Sequence, residues 1–206
     1  MTHGAIPDRL AEGTRAGLSP VARRLAHMGV SANAVTLAGG ALTVLGAGFL
    51  AAGMPLVALI VLSIGTIADT LDGQVAKAAG GGSAFGAFLD STVDRVADAA
   101  LFTGTALLAV FTSQLVLLWW ALVALVASSL VPYVRAKAEA LGMRGAMGPA
   151  PREARIVIFL VGLAAWALLG LDALFVAGVV AVALLASITA VIRVAYVGRQ
   201  LQAKGR

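Results

Sequence analysis

Three stretches of this 206-residue chain contain no Asp, Glu, Lys or Arg: residues 25–68, 99–134 and 173–192. A helix needs about 20 apolar residues to cross a hydrocarbon core, so each of the first two stretches can hold a pair of spans. A water-soluble chain of this size cannot carry such gaps, because much of its surface must be polar. Here 60% of the residues are hydrophobic and 12% are charged. The pattern is that of an all-α, polytopic membrane protein. With no cysteine, disulfides and thiolate metal sites are excluded.

Turn signals divide the apolar stretches. Ser31 and Asn33 suit a helix start, Gly53-Met54-Pro55 breaks the pattern, and Gly80-Gly81-Gly82-Ser83 makes a second turn. Thr112-Ser113-Gln114, the Gly- and Pro-bearing segment 142–151, and Gly170-Leu171-Asp172 supply the rest. Six transmembrane helices are predicted, over about residues 33–52, 55–79, 84–111, 115–141, 155–169 and 174–197. Before them, Ile6, Leu10, Leu18, Val21, Leu25 and Met28 recur at helical intervals among Arg9, Arg15, Arg23 and Arg24. That spacing predicts an N-terminal amphipathic interfacial helix lying on the membrane, with Pro20 as a candidate break. No secretory leader is expected at the start. The predicted organisation is a juxtamembrane helix over 1–32, a six-helix catalytic domain over 33–200 and a basic tail over 201–206.

The cations follow the turns. Arg9, Arg15, Arg23 and Arg24 precede the first span, and Lys77 and Arg95 flank the turn after the second. Arg135, Lys137, Arg144, Arg152 and Arg155 surround the turn after the fourth; Arg193, Arg199, Lys204 and Arg206 close the chain. The other three turns hold no Lys or Arg, so the positive-inside rule predicts a multi-pass protein of the cell (plasma) membrane with both termini cytoplasmic. The net charge of +5 therefore reflects topology, and nucleic acid is not expected as a partner.

Of ten acidic residues, five fall between Asp69 and Asp98. Asp69 and Asp72 lie three apart on one helix face, and Asp90 and Asp94 lie four apart on another. An antiparallel pairing across the glycine turn brings the two pairs together. Each carboxylate at membrane depth costs several kcal/mol unless it is compensated. Lys77 and Arg95 neutralise two of the charges but not all four, so protons or cations must complete the site. Hard oxygen ligands suit Mg²⁺, Mn²⁺ or Ca²⁺, and two such ions about 4 Å apart can clamp both oxygens of a phosphoryl displacement. Gly73, Ala76 and Gly86 clear bulky side chains from the bordering surface. On these residues alone, a cation- or proton-translocating cluster is the rival reading. Asp98, four residues beyond Asp94, is either an extension of the site or a packing residue, and His3 and His27 receive no role.

The run Asp69-x2-Asp72-Gly73-x2-Ala76-Lys77-x8-Gly86-x3-Asp90-x3-Asp94 resembles the signature of the CDP-alcohol phosphotransferase family, which has Arg at the position of Lys77. The resemblance implies that Asp69, Asp72, Asp90 and Asp94 ligate Mg²⁺ (or Mn²⁺), two ions in all, with Asp94 also acting as the catalytic base on the acceptor hydroxyl. It implies that Gly73, Ala76 and Gly86 leave room for the CDP moiety, that Lys77 meets its phosphates, and that Ser83 adds a hydrogen bond or serves only the turn. It further implies a cytoplasmic active site, CDP-diacylglycerol as donor, membrane lipids as surroundings and a homodimer.

Arg135, Arg155 and Arg193 can all lie near one membrane boundary, and several arginines there would recognise a phosphate on the acceptor. The run Arg135-Ala136-Lys137-Ala138-Glu139-Ala140 is similar to that of the inositol-phosphate branch, which has Lys at the position of Arg135 and Ser at that of Pro132. The acceptor implied is a phosphorylated polyol, inositol 1-phosphate, giving phosphatidylinositol phosphate and CMP. Glycerol 3-phosphate, giving phosphatidylglycerol phosphate, is the alternative acceptor, and a divalent-cation transporter is the alternative from another class.

Overall fold

The computed structural model describes the backbone of residues 8–145 and 147–204, and side chains from Leu18 onward within those ranges. Every regular element among them is an α-helix: α1 (Asp8–His27), α2 (Ala32–Ala51), α3 (Pro55–Ala78), α4 (Ala84–Phe111), α5 (Leu115–Ala140), α6 (Arg152–Leu169) and α7 (Asp172–Lys204). They form two compact units, Met1–Gly104 and Thr105–Arg206, with α4 contributing to both.

The helix limits follow local chemistry. Ser31 sits in extended backbone ahead of α2, and its hydroxyl accepts the Ala34 N–H at 3.2 Å. Pro55 opens α3, where its missing N–H costs nothing. After α3, Gly80 and Gly81 take φ of 98° and 126°, backbone that only glycine adopts without strain.

In the first unit α2 packs closely on α3 and α4 through small residues. A Cβ on Gly39 would press on Ala68 and the backbone of Gly65, whereas one on the adjacent Gly40 would strike Val93 of α4. A Cβ on Gly104 would collide with the Ala47 carbonyl. Such close backbone approach is how helices gain dispersion energy where lipid offers no hydrophobic drive. The carboxylates of α3 and α4 are thereby carried on two helices that share α2 as their support.

The second unit is organised on α7. Ala186 and Ala190 of α7 meet Ala127 and Val131 of α5 in a buried cluster. On the other side Gly178 faces Gly162 of α6, so the two backbones nearly touch. Phe175 stacks on Trp166 and stands edge-on to Phe159, with ring centroids 5.4 Å apart in both pairs.

The expected six spans are corrected by this structure. Among the described residues four helices are long and apolar enough to cross a membrane: α2, α3, α5 and α7. The other two are interrupted by charge. Asp90, Asp94, Arg95 and Asp98 crowd the first half of α4, and Arg152, Glu153 and Arg155 occupy the start of α6. The remaining apolar runs, 99–111 and 156–169, are shorter than the roughly 20 residues a crossing needs. The protein is a multi-pass, all-α membrane protein, and Ile60, Ile64, Ile67, Trp119, Val126 and Val191 expose apolar side chains on its spanning helices.

The N-terminal helix also departs from the interfacial reading. It runs through Pro20 without a break. Part of its apolar face packs on the protein: Ala22 is buried with Val35, Leu71 and Val75, and Leu18, Leu25 and Ala26 pack around them, while Val21 and Met28 stay exposed. Two members of the periodicity that resembled a membrane-surface helix, Leu18 and Leu25, instead pack against α2 and α3. Of the residues used for that reading, Ile6 lies outside the described residues, as do the side chains of Arg9, Leu10 and Arg15.

Candidate metal centre and basic group

In the first unit, the helical spacing of α3 and α4 brings three carboxylates together. Oxygens of Asp69, Asp90 and Asp94 all lie within 4.8 Å of one another, and each residue is half-buried. Three hard oxygen donors in that span fit a divalent cation. The fit extends to the surroundings, because a Cβ added to Gly73, one turn from Asp69, would meet nothing within 4 Å. Asp94 also stands 3.4 Å from the partly exposed guanidinium of Arg95. Three carboxylates this close disfavour one another's charged forms, so the group favours a bound cation.

Asp72 is not part of that trio. It is buried, and the Thr36 hydroxyl of α2 donates to its Oδ2. One turn of helix thus separates two fates: Asp69 turns to α4, while Asp72 turns to α2. Sequence reasoning missed Thr36, although a hydroxyl in an otherwise apolar span was a signal for it. Asp98 is also buried.

The small residues named from the sequence each have their own surroundings. Ala76 is half-buried. A Cβ on Gly86 would approach the Asn33 side chain at 3.1 Å and Ser83 Oγ at 3.2 Å. Ser83 Oγ accepts the Gly86 N–H at 2.9 Å, so it caps the start of α4. Lys77 is exposed in the last turn of α3 and lines a cavity toward α1 together with Ser19, Ala22, Arg23, Gln74 and Ala78.

The second unit holds the basic group. Arg135 and Arg155 both lie close enough to Arg193 to act on it electrostatically. Arg155 is buried, with Nη1 3.4 Å from the buried Ser128 hydroxyl. Arg193 donates through Nε to the Met147 carbonyl and through Nη1 to the Val131 carbonyl at 2.8 Å. Arg135 donates to Glu139 Oε1 at 2.8 Å, one turn along α5. The connection after α5 is held to α7 as well: Gln200 donates to the Arg144 carbonyl at 2.9 Å and accepts its N–H at 3.2 Å. A Cβ on Gly148 would strike Thr189.

Residues 29–199 match the family described as CDP-alcohol phosphatidyltransferase. Among curated proteins, the phosphatidylinositol phosphate synthase of Mycolicibacterium smegmatis is 42% identical, the match covering 69% of this chain and 65% of that protein. Its counterpart in Mycobacterium tuberculosis is 37% identical, over 70% of this chain and 67% of its own length. The chain therefore spans about two thirds of the length of these relatives. Among solved structures, the Mycobacterium tuberculosis phosphatidylinositol phosphate synthase with CDP-DAG bound superposes with a TM-score of 0.80 at 33% identity, covering 87% of this chain and 92% of that one. The same enzyme in complex with manganese and citrate gives 0.80 at 32% identity, covering 87% and 88%.

Proposed function

The chain belongs to the CDP-alcohol phosphatidyltransferase family, and from that premise we propose that it transfers a phosphatidyl group from CDP-diacylglycerol to inositol 1-phosphate, giving phosphatidylinositol phosphate and CMP. The observation that carries the chemistry is the convergence of Asp69, Asp90 and Asp94 within 4.8 Å. One crystal structure of the related mycobacterial enzyme has CDP-DAG bound and another is a complex with manganese and citrate, which supports the same donor and metal class here.

Asp69, Asp90 and Asp94 are the residues that would hold Mg²⁺ or Mn²⁺, with Asp72 the fourth carboxylate the family motif supplies. A divalent pair, when bound, offsets the diphosphate charge and the charge developing on departing CMP. The remaining steps belong to this chain's side chains. Asp94 accepts the acceptor's hydroxyl proton as that oxygen attacks the lipid-bearing phosphorus and the bond to CMP breaks. Thr36 holds Asp72 in one orientation through its hydrogen bond. Gly73, Ala76 and Gly86 leave space for the cytidine nucleotide, Lys77 meets its phosphates, and Ser83 maintains the turn that starts α4. Lys77 carries the charge of the family's arginine but not its planar fork, so it engages a phosphate at a point rather than through two parallel bonds.

Arg135, Arg155 and Arg193 are assigned to the acceptor's phosphate. Their mutual proximity in the second unit and the names of the relatives support that assignment. Pro132 favours the second reading, glycerol 3-phosphate, because it supplies no hydroxyl where the inositol-phosphate branch has Ser. The cations gathered at the helix ends support a cytoplasmic site, and the family resemblance supports a homodimer.

The test is acceptor choice. Purified protein receives CDP-diacylglycerol, Mg²⁺ and either labelled inositol 1-phosphate or labelled glycerol 3-phosphate. CMP release with the inositol ester is expected. Release only with the glycerol ester overturns the acceptor while keeping the reaction, and release with neither overturns both.

A further inference from the structure

Helices α2 and α3 approach so closely that a Cβ on Gly39 would press on Ala68 and the Gly65 backbone. Thr36 lies one turn before Gly39, and Asp72 one turn after Ala68, so the packing of this hairpin sets the two side chains opposite each other. Both are buried, and the Thr36 hydroxyl donates to Asp72 Oδ2 at 2.5 Å.

A hydroxyl has one proton to give. Thr36 Oγ1 also lies 3.1 Å from the Ala32 carbonyl of its own helix, so two acceptors compete for that proton. The carboxylate contact is the shorter and has the length of a charge-assisted hydrogen bond. The proton therefore goes to Asp72. The Gly73 N–H is a further donor beside the same carboxylate. Asp72 stands outside the trio whose oxygens lie within 4.8 Å of one another, yet the charges of Asp69 and Asp90 act on it. It occupies the margin of the metal centre, with Oδ2 tied to α2.

That tie bears on which ion the centre prefers. Ca²⁺ takes about six to eight oxygens, and carboxylates often give it both of theirs. Mg²⁺ takes about six ligands in near-octahedral geometry. An oxygen that already accepts a charge-assisted hydrogen bond has less charge to give to an ion, so Oδ1 of Asp72 is the better ligand atom and Oδ2 the poorer. On the reading of Asp72 as the fourth metal carboxylate, we propose that Thr36 is a positioning residue that makes Asp72 a one-oxygen ligand. It thereby turns the centre toward Mg²⁺ and Mn²⁺ and away from Ca²⁺.

Mn²⁺ binding to the purified full chain in detergent, followed by the electron paramagnetic resonance of the free ion, tests this without turnover. Ca²⁺ affinity follows from displacement of the bound Mn²⁺. The wild type is expected to prefer Mn²⁺. Thr36→Val keeps the shape of the side chain, Thr36→Ala avoids its bulk, and both remove the donor. Their Mn²⁺ affinity is expected to fall about 10-fold or more, as loss of a partner to a metal ligand commonly gives, with a smaller fall for Ca²⁺. The ratio of the two affinities then narrows, whereas loosened helix packing would weaken both ions alike. Thr36→Ser keeps the hydroxyl and is expected to hold the wild-type ratio. Asp72→Asn is expected to weaken Mn²⁺ binding more than any Thr36 variant. An unchanged ratio in Thr36→Val and Thr36→Ala, or the same narrowing in Thr36→Ser, overturns the role of Thr36 while Asp72→Asn still marks Asp72 as a ligand. Full Mn²⁺ affinity in Asp72→Asn overturns the reading of Asp72 itself, and the role of Thr36 with it.

Discussion

The acidic centre of the first unit and the arginine group of the second support their charges in opposite ways. Asp69, Asp90 and Asp94 bring three carboxylate oxygens within 4.8 Å of one another, a concentration of negative charge that suits a divalent cation. Arg193 instead grips two backbone carbonyls, Arg135 grips Glu139, and Arg155 is buried beside Ser128. A cluster of like charge is a site for chemistry first and a structural element second. A group whose donors already bond the main chain does both jobs together. Substitutions should therefore separate activity from stability in the first unit and mix them in the second.

The largest effect is expected at Asp94. Asp94→Asn removes the base and a ligand charge together, and CMP release is expected to fall by about 10²–10⁴-fold or more, with the unfolding midpoint little changed or raised. A variant that turned over normally would remove Asp94 from its assigned role. An intermediate effect is expected at Arg193. Arg193→Ala deletes bonds to the Met147 and Val131 carbonyls, each worth about 1.5–3 kcal/mol for a charged donor. Its unfolding midpoint should drop and segment 141–151 should become protease-sensitive, alongside a raised KM for the acceptor. Loss of acceptor binding with unchanged stability would break the contrast drawn between the units. The smallest effect is expected at Glu139. Its pair with Arg135 is about half-exposed on both sides, so Glu139→Gln should change stability by less than about 0.5 kcal/mol. Its KM for the acceptor phosphate would then report how far Glu139 competes for Arg135.

Much of the helical layout was legible because turns are local events. Gly53-Met54-Pro55 and Gly80 to Ser83 announce their breaks in a few residues, and α3 and α4 start where those breaks end. The convergence of Asp69 with Asp90 and Asp94 was legible for the same reason, since helical spacing and a short turn nearly determine it. Partnerships between distant segments were not. Thr36 reaches Asp72 across 36 positions, and no periodicity encodes that contact. The apolar stripe of α1 has the same spacing whether it meets lipid or α3, so the sequence could not choose between them. The count of six spans failed on a related point. A charge-free gap shows where apolar residues lie, but α4 and α6 extend beyond their gaps into charged residues.

The connection between α5 and α6 is stitched to α7 by Gln200 at Arg144 and by Arg193 at Met147, and Gly148 rests against Thr189. A peptide tag or reporter spliced into this segment would have to break those stitches, although glycines and prolines ordinarily mark a permissive insertion point. Here they mark a buckle, and lengthening it would loosen the strap it fastens.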